Sequence, residues 1–155
     1  MCKNEVKKRP KEYLFVYGTL LSNIASRVEH IMRKQTKVIG EGYVHGKIYD
    51  LGEYPAAIAD PDSKDLIYGE LIELQNKKIL DILDDYEECG PQWPEPTEYI
   101  RIKVKVHITS SILIDSSIEA FFYNYNFPVL EIDQIKSGSY KKFVQEQKKP
   151  YNRTL

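Results

Sequence analysis

Tyr13-Leu14-Phe15-Val16-Tyr17-Gly18-Thr19-Leu20 is the stretch whose reading decides this chain. Its first half is an aromatic and β-branched run and its second half breaks at a glycine, so it reads as a strand ending in a tight turn. Gly18 suits such a turn in two ways: it can adopt positive φ, or it can let a ligand approach bare backbone. Ser22 and Asn23 then offer an N-cap for a helix over Ile24 to Lys34. Strand, glycine turn and helix start together present backbone N–H groups at a positive helix end, which suits an anionic group such as a carboxylate. A glycine that merely closes a tight turn fits the same residues.

The rest of the composition narrows the class. A chain of 155 residues is of ordinary domain size and long enough to bury a core. Its 42% apolar and 12% aromatic content is that of a globular, soluble protein. The formal net charge is −1 with both signs interspersed, which predicts no nucleic-acid partner and no membrane surface as partner. Residues 1–155 read as one domain, with residues 1–11 a basic flexible tail and residues 148–155 a C-terminal tail. No apolar stretch follows the basic start, so it does not read as a signal peptide, and no window is long and apolar enough for a membrane span. The two cysteines, Cys2 and Cys89, form no framework, which points to a reducing, cytoplasmic setting. His30, His45 and His107 are far apart in sequence and show no ligand spacing, so a zinc site built from them in space has no support in the sequence. Walker A, G-x-G-x-x-G and G-x-S-x-G patterns are absent from the sequence.

Most of the organisation is strand. Lys37 to Tyr49 is β-rich and punctuated by Gly40, Gly42 and Gly46, which suggests bends or bulges in a strongly curved sheet. Leu51 to Ala57 reads as a loop and Asp60-Pro61-Asp62-Ser63 as a turn. Leu66 to Leu74 reads as a strand. Tyr99 to Thr109 alternates, with Ile100, Ile102, Val104 and Val106 on a dry face and Arg101, Lys103 and Lys105 on a wet one. Ile118 to Phe127 is a further strand and Tyr140 to Gln147 a short helix. Five or six strands with scattered short helices predict an α+β domain: a small mixed or antiparallel β-barrel flanked by helices.

Between two of these strands lies a helix, Asn76 to Glu87, with Asn76 as its N-cap. At about 100° per residue, Ile79, Leu80, Ile82, Leu83 and Tyr86 fill one arc. Glu87 falls inside that arc, while Asp84, Asp85 and Glu88 fall outside it. Partial burial, the negative helix end and the neighbouring acids should all raise the pKa of Glu87. A carboxylate near neutrality can take a proton and return it at physiological pH. The other geometry open to Glu87 is a solvated position on a fraying last turn.

Taken in order, these blocks resemble the γ-glutamylcyclotransferase-like family, in particular its branch of γ-glutamylamine cyclotransferase-like proteins. The resemblance runs from about Tyr13 to about Phe143. It rests on Phe15-Val16-Tyr17-Gly18-Thr19-Leu20, on Gly46-Lys47-Ile48-Tyr49-Asp50-Leu51-Gly52 with Tyr54-Pro55-Ala56, and on Tyr68-Gly69-Glu70-Leu71. Leu83-Asp84-Asp85-Tyr86-Glu87, Tyr99-Ile100-Arg101, Ala120-Phe121-Phe122-Tyr123 and Ser137-Gly138-Ser139-Tyr140 continue it. The resemblance implies a compact barrel with a cavity between the Y-G-T-L turn and the helix end, Glu87 as catalytic acid/base, and Tyr123 near the cavity. It also implies a small-molecule γ-glutamyl substrate, release of 5-oxoproline, and no cofactor.

That chemistry agrees with the residues. A γ-glutamyl amide carries its own nucleophile, the α-amino group, which is an ammonium at neutral pH. One carboxylate can remove its proton and later protonate the leaving amine. Backbone N–H groups at Tyr17, Gly18, Thr19 and Leu20 would hold the α-carboxylate. A non-catalytic ligand-binding or interaction protein that kept the barrel is the alternative, and a monomer is the default. Arg101 reads as lying on the wet face, and Glu70 and Tyr54 as structural. Two features depart from the family pattern: Glu88 to Glu98 is a longer, proline-rich link, either a cavity cap or a surface insertion, and Ser139 stands where an acid is common.

Overall fold

The computed structural model describes residues 11–18, 34–109 and 117–153, with 148–153 described as backbone. The expected helix over 24–34, apart from its last residue, lies outside the described residues, as do Thr19, Leu20 and nearly all of the basic start. The described elements are β1 (Glu12–Val16), β2 (Thr36–Asp50), β3 (Pro55–Ala59), β4 (Leu66–Leu74), α1 (Lys78–Tyr86), β5 (Tyr99–Ile108), β6 (Ser117–Tyr125) and α2 (Tyr140–Arg153).

The sheet closes on itself. Its order is β3-β2-β4-β1-β6-β5, and a further β2–β5 pairing joins Tyr43 to His107, giving a five-stranded barrel with β3 as an extra strand. Among the described strands only β1 and β6 run parallel, so the barrel is mixed. β2 makes closure possible because it pairs in turn with β4, β5 and β3. Its register slips between Val38 and Gly40, and a Cβ on Gly42 would sit 2.5 Å from the His107 carbonyl oxygen. The glycines of this segment therefore mark curvature and close strand approach. Closure also brings His45 and His107, distant in sequence, to a ring separation of 5.4 Å.

Apolar residues form two clusters, and β1 serves both. Phe15 joins Val44, Ile67, Leu71, Val106 and Phe122, which come from all five barrel strands and so fill the interior. Leu14 and Val16 point the other way and pack with Ile79, Leu80 and Leu83 of α1, together with Tyr99 and Tyr123. Burial on both faces explains why β1 reads as a continuous apolar run.

Three expectations are corrected here. The supposed loop over Leu51 to Ala57 is loop only as far as Tyr54; Pro55–Ala59 is a strand paired with Gly46–Asp50, and Pro55 is tolerated as the first residue of an edge strand. The short helix expected over Tyr140 to Gln147 runs on to Arg153. The dry face of β5 fails at Ile100, which is 43% exposed while its neighbour Tyr99 is buried, because α1 covers the opposite face at that end of the strand. Ser139 finds a role as well: its hydroxyl accepts the Lys142 N–H at 3.1 Å, the N-cap bond of α2 that an acid would also make.

Candidate active site

The end of α1 is shaped by a tight backbone motif. The Cys89 N–H donates to the Asp84 carbonyl at 2.8 Å and the Glu88 N–H to the Asp85 carbonyl at 3.1 Å, with Glu88 at φ 53. This paired arrangement with a left-handed residue stops the helix at Glu87 and turns the chain back, burying Cys89 against the α1 cluster. Glu87 thus caps the helix just after its last residue, Tyr86, and lines a cavity of about 340 Å³.

Four other segments complete that cavity. Tyr17 and Gly18 enter from the end of β1, Tyr54 and Pro55 from the start of β3, Glu98 and Tyr99 from the start of β5, and Tyr123 from β6. The walls are stitched together by hydrogen bonds. The buried Tyr99 hydroxyl donates to the Pro55 carbonyl at 2.8 Å, and the Tyr17 hydroxyl donates to the Tyr123 carbonyl. Gly18 does not use positive φ; its role is close approach, since an added Cβ would lie 2.6 Å from the Pro55 ring. Gly18→Ala is therefore expected to push the turn off Pro55, lower stability by about 1–3 kcal/mol and weaken ligand binding, as thermal melts and calorimetry would read.

Glu87 is the perturbed acid of the cavity. Burial, followed by the charge of Glu98, pushes its carboxyl up to about 7 from an ordinary value of 4.5. Burial was expected, but the charge responsible was not: it is Glu98, across the cavity, rather than the acids of the same helix end. Glu98 is itself held in place, its two carboxylate oxygens accepting the Tyr54 hydroxyl at 2.9 and 3.1 Å. Tyr54, read from sequence as structural, stands at the cavity mouth. The long link from Glu88 to Glu98 contributes its two ends to the cavity wall and none of its middle. It frames the cavity without capping it.

Asp84 is the residue that sequence reasoning misplaced. The helix is rolled so that Ile79, Leu80 and Leu83 are buried while Tyr86, expected on the apolar arc, is 41% exposed. The roll brings Asp84 inward. Its carboxylate accepts the Arg101 guanidinium at 2.6 Å and the Tyr123 hydroxyl at 2.7 Å, and the Cys89 thiol lies 3.6 Å away. Arg101 and Tyr123 are direct cross-strand partners on β5 and β6, so a single carboxylate clamps α1 onto both strands. Arg101 is not on a wet face; it is paired, and its guanidinium stacks over Phe121 at 5.0 Å. Tyr123 lines the cavity as expected, with its hydroxyl committed to Asp84. Burial, then the bond to Asp84, raises the Tyr123 phenol, and burial with Asp84 pushes the Cys89 thiol up to about 12. Both remain protonated at physiological pH.

A mixed five-stranded barrel carrying one near-neutral carboxylate against a glycine turn defines a class, and comparison with known proteins names it. A model of the family described as gamma-glutamyl cyclotransferase, AIG2-like, matches residues 14–142, and the chain belongs to that family. No curated protein matches the chain. Among solved structures, an AIG2-like protein from Mus musculus is similar at a TM-score of 0.65 and 23% identity, over 85% of this chain and 89% of that one. YkqA from Bacillus subtilis gives a TM-score of 0.65 at 23% identity over 90% of this chain, which spans 43% of YkqA. A protein described as gamma-glutamyl cyclotransferase gives 0.52 at 17% identity, over 76% of this chain and 69% of that one. These likenesses concern the fold. Among the described residues, no helix is long and apolar enough to cross a membrane.

Proposed function

We infer that this chain is a γ-glutamyl cyclotransferase that releases 5-oxoproline and a free amine from a small γ-glutamyl amide. The observation that supports this most directly is a half-buried Glu87, shifted to about 7, facing the Tyr17-Gly18 turn across one cavity. A carboxyl of that pKa is part ionised at neutral pH, as a group that both accepts and returns a proton must be.

In this reading the substrate α-carboxylate is held by backbone N–H groups of Tyr17, Gly18, Thr19 and Leu20. Ionised Glu87 takes a proton from the α-ammonium. The freed amine attacks the γ-carbonyl carbon, forming the new C–N bond of the five-membered lactam. Collapse of the tetrahedral adduct breaks the old C–N bond as protonated Glu87 delivers its proton to the departing nitrogen, and the regenerated carboxylate then removes the second proton from the ring nitrogen and passes it to the freed amine, which leaves as an ammonium. Atoms and charge balance without a co-reactant. Folding the substrate so that amine and carbonyl meet is positioning work, done by the cavity walls, Tyr123 among them.

A panel of γ-glutamyl amines, γ-glutamyl amino acids and glutathione, assayed for 5-oxoproline, tests the proposal. Release of 5-oxoproline from at least one member supports it. Free glutamate in its place would mean hydrolysis by water. No product from any member, together with a ligand-induced rise in melting temperature, would mean a binding protein and overturn the enzyme.

A further inference from the structure

The barrel closes over a short seam. Among the described residues β2 and β5 share two residue pairs, Gly42 with Ile108 and Tyr43 with His107, extended by the Thr109 N–H on the Glu41 carbonyl at 2.9 Å. A cluster of rings lies across that seam. The Tyr43 and His107 rings stack at 5.0 Å, and His45 meets His107 edge-on at 5.4 Å and Tyr43 at 6.0 Å. Tyr68 leans on Tyr43 from β4 at 6.1 Å. Val44 and Val106 belong to the interior cluster, which puts these rings on the outer face. The His45 Nδ1 lies 2.9 Å from the Ser63 carbonyl oxygen, an acceptor only, so Nδ1 carries a proton. The His107 ring makes ring contacts and, among the described residues, no hydrogen bond.

We propose that this seam is an acid-released latch: two neutral imidazoles, packed with Tyr43 across the strands, hold β5 against β2, and their protonation lets the strands part. The surrounding charges do not offset such a change. On β5, Lys105 lies two residues from His107 on the same face, and Glu119, opposite Lys105 on β6, is paired with Lys103 at 3.5 Å. On β2, Glu41 precedes Tyr43 and Lys47 follows His45, while β4 sets Leu66 and Tyr68 opposite the two rings. The turn that carries the Ser63 carbonyl also carries Asp60, Asp62, Lys64 and Asp65. Burial, then His45, then Lys105 holds His107 below its ordinary 6.5, and among the described residues no carboxylate counters them. The direction follows. As pH falls through 6.5, a parted seam takes up a proton that the closed seam resists, so closure weakens until His107 titrates in the closed barrel as well. The other end of β5 carries Tyr99 in the cavity wall and Arg101 on Asp84, so release at His107 loosens the strand that shapes the candidate site.

Two measurements test the latch. Imidazole titration followed by NMR in the wild-type protein should place His107 below 6.5, and should move it up in His45→Asn, whose amide can still donate to Ser63. Amide exchange at Thr109, corrected for its intrinsic rate, reads the seam itself. Between pH 7.5 and 5.5 it should gain up to about tenfold in the wild type. In His107→Phe, which keeps a ring against Tyr43 without the charge, it should change little. Glu87 titrates over the same range with the opposite sign, but alike in both proteins. Gln75, whose N–H donates to the Gln35 carbonyl beyond the far end of β4, is the control and should not follow Thr109. An equal gain at both amides would mean that the whole chain unfolds, and would overturn the latch. So would His107 titrating at or above 6.5, or the same Thr109 response in both proteins. The titration decides alone if His107→Phe does not fold, since it needs only the wild type. Neither measurement reads turnover, so the latch stands or falls apart from the cyclotransferase.

Discussion

Glu87→Gln is expected to abolish 5-oxoproline release and, at pH 8, to make the protein more stable than the wild type. The first effect follows from chemistry: a carboxamide has the shape of the carboxyl group but cannot take the proton of the α-ammonium, and loss of a positioned acid/base costs about 10²–10⁴-fold in rate. The second follows from linkage. In the folded chain Glu87 keeps its proton up to about pH 7, whereas in the unfolded chain it releases it near 4.5. Between those values the folded state binds more protons, so stability falls as pH rises through the window, and the whole cost is present above about pH 7. Converted at 1.36 kcal/mol per pKa unit, that cost reaches up to about 3 kcal/mol for this half-buried group. Glutamine carries no such cost. Melting curves should coincide near pH 4 and separate toward pH 8, with the variant melting higher. The same shift sets the acid limb of the rate profile: wild-type kcat/KM should rise with pH and level off above about 7. A variant that melts at or below the wild type at pH 8 would show that Glu87 is solvated and not pushed toward neutrality.

Glu87 was legible in the sequence because the signal for it is local. A helix of known period puts one acid of the cluster among the apolar residues, while a solvated place on a fraying last turn stayed open until the fold was known. The strand of Tyr13 to Val16, the full extent of Leu66 to Leu74 and the curvature implied by Gly40, Gly42 and Gly46 are local in the same sense. Asp84 was not legible, for a reason that is also physical. On the helical wheel it lies about 40° past Leu80, just outside the apolar arc, and only the roll of the helix decides whether it faces water. That roll is set by Arg101 and Tyr123, which lie on two different strands and become neighbours only through the β5–β6 register. Glu98 was hidden twice, by sitting at the end of an insertion and by meeting Tyr54 across 44 residues. β3 was missed because an edge strand beginning with proline has the composition of a loop. Apolar periodicity reveals what is buried, whereas polar partners across strands depend on topology.

Asp84→Ala should therefore lower stability and slow turnover together, although Asp84 does not touch the cavity. Its removal leaves the Arg101 guanidinium and the Tyr123 hydroxyl without their acceptor. A fully buried pair broken in this way costs about 3–5 kcal/mol. Here the Asp84 and Arg101 side chains are 16% and 30% exposed, so water can reach the orphaned cation, and a loss of about 2 kcal/mol is expected. Glu87 sits one turn further along the same helix, and its aim depends on the clamp. A displacement of 1 Å at a reacting group costs about 10²-fold, so kcat should drop by about ten- to a hundredfold in the folded variant. KM should move little if the turn at Tyr17 and Gly18 holds the glutamyl half as proposed. Asp84→Asn supplies the control, because its amide oxygen still accepts one of the two donors and should recover part of both losses. A purely structural clamp would give a lower melting temperature with unchanged kcat in the folded fraction. Loss of kcat at temperatures well below the melt, partly restored by Asn, would identify Asp84 as the residue that aims the Glu87 carboxylate.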